Sequence, residues 1–210
     1  MDTPLTLRRR GRPPKELNGY SDSREALLRA GVAMLTEKGF AATALEDILR
    51  EASVPKGSFY HYFGSKEAFG LELIEHYSGF FASKLNRFLR NPSRAPLQRI
   101  QDFVDDADRG MRRYDYRRGC LIGNLGQEMS ALPESYRGRL NNVFADWQDR
   151  LAECLQLAQQ NRTLPATADC AQLAEFFWTG WEGAVLRARL ARSGAPLQTF
   201  AGGFFRLLET

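Results

Sequence analysis

Apolar side chains recur at intervals of three and four from Ala26 to Leu208, and no stretch alternates apolar with polar residues as a half-buried strand would. An all-α chain is therefore expected. One stripe runs through Ala26, Leu27, Ala30, Ala33 and Met34, with an N-cap offered by Ser21 to Ser23 and a stop at Gly39. Longer ones pass through Phe69, Leu73, Ile74, Tyr77, Phe81 and Leu85, through Ile100, Phe103, Val104 and Met111, and through Leu140, Val143, Trp147, Leu151 and Leu155. Two more follow, in "LAEFFWTGWEGAVLRARLA" and at Leu197, Phe200, Phe204 and Leu208, and the segments NPSRAP, YDYRRG and NRTLPATAD punctuate the series. With 43% apolar residues in 210, the chain can bury a sizeable core.

Between Gly39 and Ser65 the stripes shorten. Thr43 stands three residues before Glu46, the capping-box spacing, and Leu45, Ile48 and Leu49 turn inward. Ser53 is read as the next cap and Pro55 as a first-turn residue of a brief third helix, whose Val54, Phe59 and Phe63 pack inside. Three short helices with a tight second turn make a helix-turn-helix unit, expected over residues 20–66, after a basic arm (1–19) and before a larger helical body (67–210). In such a unit the last helix enters the major groove by its N-terminal residues. Lys56, Gly57 and Ser58 occupy that exposed turn; Tyr60, His61 and Tyr62 fall outward, able to donate to phosphates; Lys66 begins the following helix, where the dipole favours an anion. The competing reading makes every ring core or scattered surface.

The charge is +4, and residues 1–15 account for all of it: Arg8, Arg9, Arg10, Arg12 and Lys15 face only Asp2 there, while the remaining charges balance. Such an arm suits a polyanion, either nucleic acid or an anionic membrane surface, and each phosphate it neutralises adds about 0.9 to the salt slope of binding. No run reaches the roughly 18 apolar residues of a membrane span, and no signal-like apolar block opens the chain, so a cytoplasmic protein without a membrane partner is expected. Cys120, Cys154 and Cys170 have no metal-ligand or disulfide spacing. With only His61 and His76, and no phosphate-cradling glycine loop, neither an enzyme nor a cofactor is expected.

The stretch LEDILREASVPKGSFYHYFGSKEAF resembles the signature of the TetR family of bacterial transcriptional regulators, from Phe40 to about Phe69. The resemblance implies a DNA-binding head, a body that binds a small inducer, and a homodimer joined by its last two long helices on a palindromic double-stranded operator. By position, Thr43, Lys56, Gly57, Ser58, Tyr60, His61, Tyr62 and Lys66 take the DNA-contacting roles, and Phe59 and Phe63 the buried ones. Arg10-Gly11-Arg12-Pro13 is similar to hooks that insert arginine into narrow minor grooves.

In the body, GCLIGNLGQE and FFWTGWEGAVLRARL resemble the acrylate-responsive and electrophile-sensing members of that family. The implied regulator is a repressor released by an acrylate-like carboxylate or an electrophile, the alternatives being a thiol sensor acting through Cys120 without a reversible pocket ligand and a cysteine-dependent enzyme. Cys120 follows Arg117, Arg118 and Gly119 and opens a helix, both of which favour thiolate; the other reading is a small buried hydrophobe. Arg187 or Arg189 could pair a carboxylate, with Phe177, Trp178 and Trp181 as apolar walls and Asn124, Gln127 and Glu182 as polar handles. The rings serve equally as core or dimer seam. Gly180, Ala184, Ala188 and Ala191 form a small-residue ridge assigned to the dimer, with Phe200, Phe204 and Phe205 from the last helix.

Overall fold

The computed structural model describes residues 17–209, with side chains from Asp22 onward. Arg8, Arg9, Arg10, Arg12 and Lys15 of the arm lie outside the described residues. Among these residues every regular element is helical, as the three-and-four spacing requires.

Helix α1 (Leu17–Lys38) starts ahead of Ser21 to Ser23, which are therefore interior and not its cap. It stops at Gly39, whose φ of +85° suits glycine and whose N–H donates to the Leu35 carbonyl at 3.0 Å. Helix α2 (Leu45–Ala52) is entered through Ala44, without a side-chain cap. Thr43 is one residue too early for the capping box; it is 1% exposed and its hydroxyl donates to the Gly39 carbonyl at 2.6 Å. Ser53 closes α2 instead of opening α3: it sits at φ +53°, and the next residue, Val54, donates to the Leu49 carbonyl at 3.0 Å. Pro55 is then the N-cap of α3 (Lys56–Phe63). Helix α4 (Lys66–Leu89) is capped by Ser65, whose hydroxyl accepts the Ala68 N–H at 3.0 Å.

The first three helices pack on the start of α4. Phe59, Phe63 and Phe69 meet edge to face or tilted, with centroids 4.8 to 5.3 Å apart, over Leu27, Leu28 and Ile48. Each ring so buried contributes about 1.5–3 kcal/mol, which is how an eight-residue helix containing Gly57 holds its shape.

The body adds α5 (Pro96–Arg112), the short α6 (Leu121–Gln127), a single 3-10 turn (Met129–Ala131), α7 (Ser135–Gln160), α8 (Cys170–Ala191) and α9 (Ala195–Leu208). Its centre is aromatic. Trp147 lies 4.9 Å from Trp178 and 4.4 Å from Phe81, Phe103 touches both Trp178 and Trp181, and Phe177 stacks on Trp181 at 5.6 Å and 10°. The Trp178 indole N–H donates to the Trp147 carbonyl at 2.9 Å. Phe177, Trp178 and Trp181 are thus core and not pocket walls, because a period of three to four on a helix packed against α7 and α9 and under Phe103 of α5 points inward. For the same reason Ala188 and Phe204, expected at a dimer face, are sealed within one chain, and Gly180 receives the Phe200 ring from α9.

Candidate DNA-recognition surface and ligand cleft

The outward side of α3 carries Lys56, Gly57, Tyr60 and His61, all exposed, with Ser58 and Tyr62 half-buried beside them. Tyr60 is 47% exposed and leans edge-on against Phe59, at 5.4 Å and 87°, which holds the ring while leaving its hydroxyl outside. A Cβ on Gly57 would meet nothing, so the backbone there is open to a close approach. The Lys56 ammonium bridges to the Glu46 carboxylate of α2 at 2.9 Å; the pairing raises Lys56 and lowers Glu46 relative to their ordinary values. The surface is therefore a short helix end with hydroxyl, imidazole and ammonium donors, the donor set that phosphate and base edges accept.

Two residues expected on that surface do other work. Thr43 is sealed, as above. Lys66 is half-buried: its ammonium donates to the carbonyls of Thr43 at 2.8 Å and Phe40 at 3.4 Å, and lies 4.5 Å from the Phe40 ring centre. It clamps the α1–α2 corner where a free cation was expected.

A cleft of about 450 Å³ opens between α1, α4, the end of α5 and the loop into α6. Val32, Ala33, Phe80, Ala107 and Met111 give it an apolar lining, and Arg29, His76, Arg113 and Arg118 stand around it; none of its lining residues is acidic. Such a mixture fits a small apolar anion. None of the nine residues proposed for ligand contact lines this cleft. The signal lay in YDYRRG, which supplies Tyr114 and Arg118, but the other contributors come from three separate helices and share no local pattern.

At the inner wall of the cleft, Tyr77, which lines it, and Glu182, both half-buried, meet the buried Cys120. Cys120 is the N-cap of α6, its sulfur accepting the Gly123 N–H at 3.5 Å, and Glu182 lies against Gly123, where a Cβ would collide with the carboxylate. Burial, then the Glu182 charge, pushes the Cys120 thiol well above its usual range; burial pushes the Tyr77 hydroxyl up likewise. Burial also raises the Glu182 carboxyl to about 7. The expected thiolate is thus opposed by its surroundings. Arg118 does not help it, because that guanidinium stacks 4.0 Å from the Tyr114 ring and faces Glu37 at 3.7 Å.

The remaining ligand candidates join head to body. The Asn124 side-chain N–H2 donates to the Leu35 and Thr36 carbonyls at 3.0 and 3.1 Å, and its oxygen accepts from Arg189 at 3.0 Å. Arg189 also reaches the carbonyls of Glu37 at 2.8 Å and Arg117 at 3.3 Å. Together with the Gly119 N–H on Thr36 at 2.9 Å, these groups satisfy the end of α1, whose carbonyls no helical N–H can reach. Gln127 is exposed at the end of α6. Arg187 lines a separate shallow groove between α8 and α9 with Gly180, Gly183, Ala184, Ala191 and Phe200. Beside Phe200 of this groove Phe176 is 51% exposed, and toward the other end of α9 Leu207 is 45% exposed next to Leu173 and Leu164, two large apolar side chains that the small-residue pattern did not single out. Phe205 is half-buried.

No helix among the described residues is long and apolar enough to cross a membrane. Residues 27–73 match the family model described as bacterial regulatory proteins, tetR family, and residues 96–204 match the tetracyclin repressor-like C-terminal domain. The transcriptional regulator AcuR of Cereibacter sphaeroides is 47% identical over 212 residues, covering 100% of this chain and 96% of that protein. The HTH-type transcriptional repressor NemR of Escherichia coli is 31% identical, covering 84% of this chain and 89% of that one. A crystal structure of a regulatory protein TetR from Rhodobacter sphaeroides superposes with a TM-score of 0.86 at 48% identity, covering 88% of this chain and 97% of the other.

Proposed function

This chain belongs to the TetR family of bacterial regulatory proteins and is a transcriptional regulator, and from that premise we propose that it represses as a homodimer on a palindromic operator and is released by a small carboxylate bound in the cleft. Its relatives and its fold are those of regulators, so it is not an enzyme. The α3 donor surface suits a major groove. For the pairing of two copies, the α8–α9 face offers the exposed Phe176 beside Phe200 and the small residues Gly180, Gly183 and Ala191, with Arg187 at the rim.

The observation that carries the ligand reading is the cleft itself: one wall is α1, a helix of the head, and the lining combines apolar side chains with Arg29, His76, Arg113 and Arg118, of which His76 and Arg118 face Glu25 and Glu37 of α1 at 3.8 and 3.7 Å while no carboxylate lines the cleft. A ligand that draws these groups together binds one head–body arrangement better than another, which is the condition for a population shift. A coupling of about 1–3 kcal/mol changes operator affinity about 5- to 150-fold. The thiol-sensor alternative gains no support from Cys120, which is buried beside a carboxylate.

Fluorescence anisotropy on the DNA upstream of the protein's own reading frame tests both parts. Tight, salt-dependent binding is expected, weakened by acrylate and restored when acrylate is diluted out, in the wild type and in Cys120→Ser alike. Failure to bind that DNA even at low ionic strength would overturn the regulator's operator reading; a response abolished by Cys120→Ser would replace the reversible carboxylate with an adduct.

A further inference from the structure

The α1–α2 corner of the head is held from the body by two side chains: Tyr136 of α7, whose ring meets Phe40 edge-on at 5.7 Å, and one acidic group that takes the corner's backbone. Glu128, the residue after α6, places both carboxylate oxygens on the corner: one accepts the Phe40 N–H at 3.0 Å and the other the Ala41 N–H at 2.7 Å. Its own N–H is fixed to the Asn124 and Leu125 carbonyls at the end of α6. Gly39 is part of the same contact, since a Cβ there would occupy the position of a Glu128 carboxylate oxygen. Two N–H groups that the turn itself leaves without acceptors thus meet a bidentate, charge-assisted partner 87 and 88 residues away.

The placement matters because of where the other restraints lie. Helix α4 starts in the head, under Phe59 and Phe63, and continues into the body, so it is the element the two share. Asn124, Gly119 and Arg189 grip the end of α1, at residues 35–37. Glu128 grips beyond it, on the turn that leads into α2 and so to α3. Resting on the operator-binding reading above, we infer that Glu128 is a positioning residue that sets the angle of the head on the body, and through it the half-site spacing that the dimer accepts. Two rigidly set heads match major grooves about 34 Å apart on one face of the duplex; adding or removing a base pair between the half-sites rotates and displaces one groove relative to the other. A head freed at its corner follows that displacement.

The test uses a palindromic duplex selected by the wild-type protein from random-sequence DNA, together with versions in which one or two base pairs are inserted or deleted at the dyad. Affinities of wild type, Glu128→Gln and Glu128→Ala are measured by anisotropy, alongside a duplex carrying a single half-site, and thermal unfolding is recorded for each protein. For wild type the altered spacings are expected to cost about tenfold or more in affinity. For the variants, single-half-site binding is expected to stay within about twofold of wild type while the spacing penalty falls below about threefold. An unchanged spacing profile in folded variants overturns the inference. So does an equal loss on every duplex including the single half-site, which would make Glu128 a cap for the turn and nothing more. If the wild type selects no palindrome, the dimeric operator reading itself fails, a result distinct from either.

Discussion

Replacing Glu182 by glutamine should abolish one component of the protein's pH-dependent stability. The carboxyl moves from 4.5 to about 7 on folding because it is buried beside Cys120 and Gly123. Between those values the folded chain holds a proton that the unfolded chain has lost, so stability is greatest in acid and falls as pH rises through the folded value. At about 1.4 kcal/mol per pH unit, the whole displacement is worth about 3 kcal/mol, of which about 2.5 kcal/mol falls between pH 5 and pH 8. Cys120 and Tyr77, the groups that face it, are both pushed up from 9.0 and 10.0 and stay protonated throughout that window. Glutamine keeps the size and the neutral polar character of the protonated acid. Urea unfolding at fixed protomer concentration, at unit steps from pH 5 to pH 8, should show the variant gaining on wild type by about 2.5 kcal/mol across the series. A difference that stays constant within about 0.5 kcal/mol would show that Glu182 is ionised in the folded state at every pH tested, and the account of the cluster would be wrong.

Three further outcomes follow from the same geometry. Lys56→Ala should weaken operator binding and lower the slope of log affinity against log salt by about 0.9, one phosphate's share; an unchanged slope in a salt titration would place Lys56 off the backbone. Met111→Trp, at the half-buried end of α5, should fill the cleft, leaving operator affinity within about twofold while removing the response to acrylate; a retained response would move the ligand elsewhere. Native protein at pH 7 should resist iodoacetamide at all three cysteines. Burial takes Cys154 from 9.0 to about 11 and Cys120 well above 9.0, so the Cys154 thiolate is about a hundredfold scarcer, and mass spectrometry should find full labelling only in urea.

The helical plan was legible because it is written locally. Gly39, Ser65 and the apolar stripes of α4, α5 and α7 act within a turn or two of themselves, and the outward and inward sides of α3 follow from Phe59 and Phe63 four residues apart. Errors arose where a polar residue had two possible partners. Thr43 has capping spacing to Glu46, yet its hydroxyl turns back to Gly39 and Glu46 turns to Lys56. Ser53 could have capped α3, but α2 uses it in the left-handed conformation that ends a helix. The cleft was illegible for a different reason: Arg29, His76 and Arg113 lie tens of residues apart and converge only through the packing of α1, α4 and α5. Trp178 and Trp181 were conspicuous in the sequence but belong to the core, and Glu128, conspicuous in the structure, has no signal in its own neighbourhood.

Trp147, Trp178 and Trp181 are the chain's three tryptophans, all embedded in the body's aromatic centre, and α1 to α3 contain none. Tryptophan emission, excited selectively at the red edge, therefore reports on the body only. A swing of the recognition unit as a rigid piece is optically dark. An occupant of the cleft, by contrast, touches Tyr77, which stacks 5.7 Å from Phe81, which in turn lies against Trp147. Unlabelled protein on dye-labelled DNA thus separates filling of the cavity, seen as a change in tryptophan colour or yield, from reorientation on the duplex, seen only through the dye.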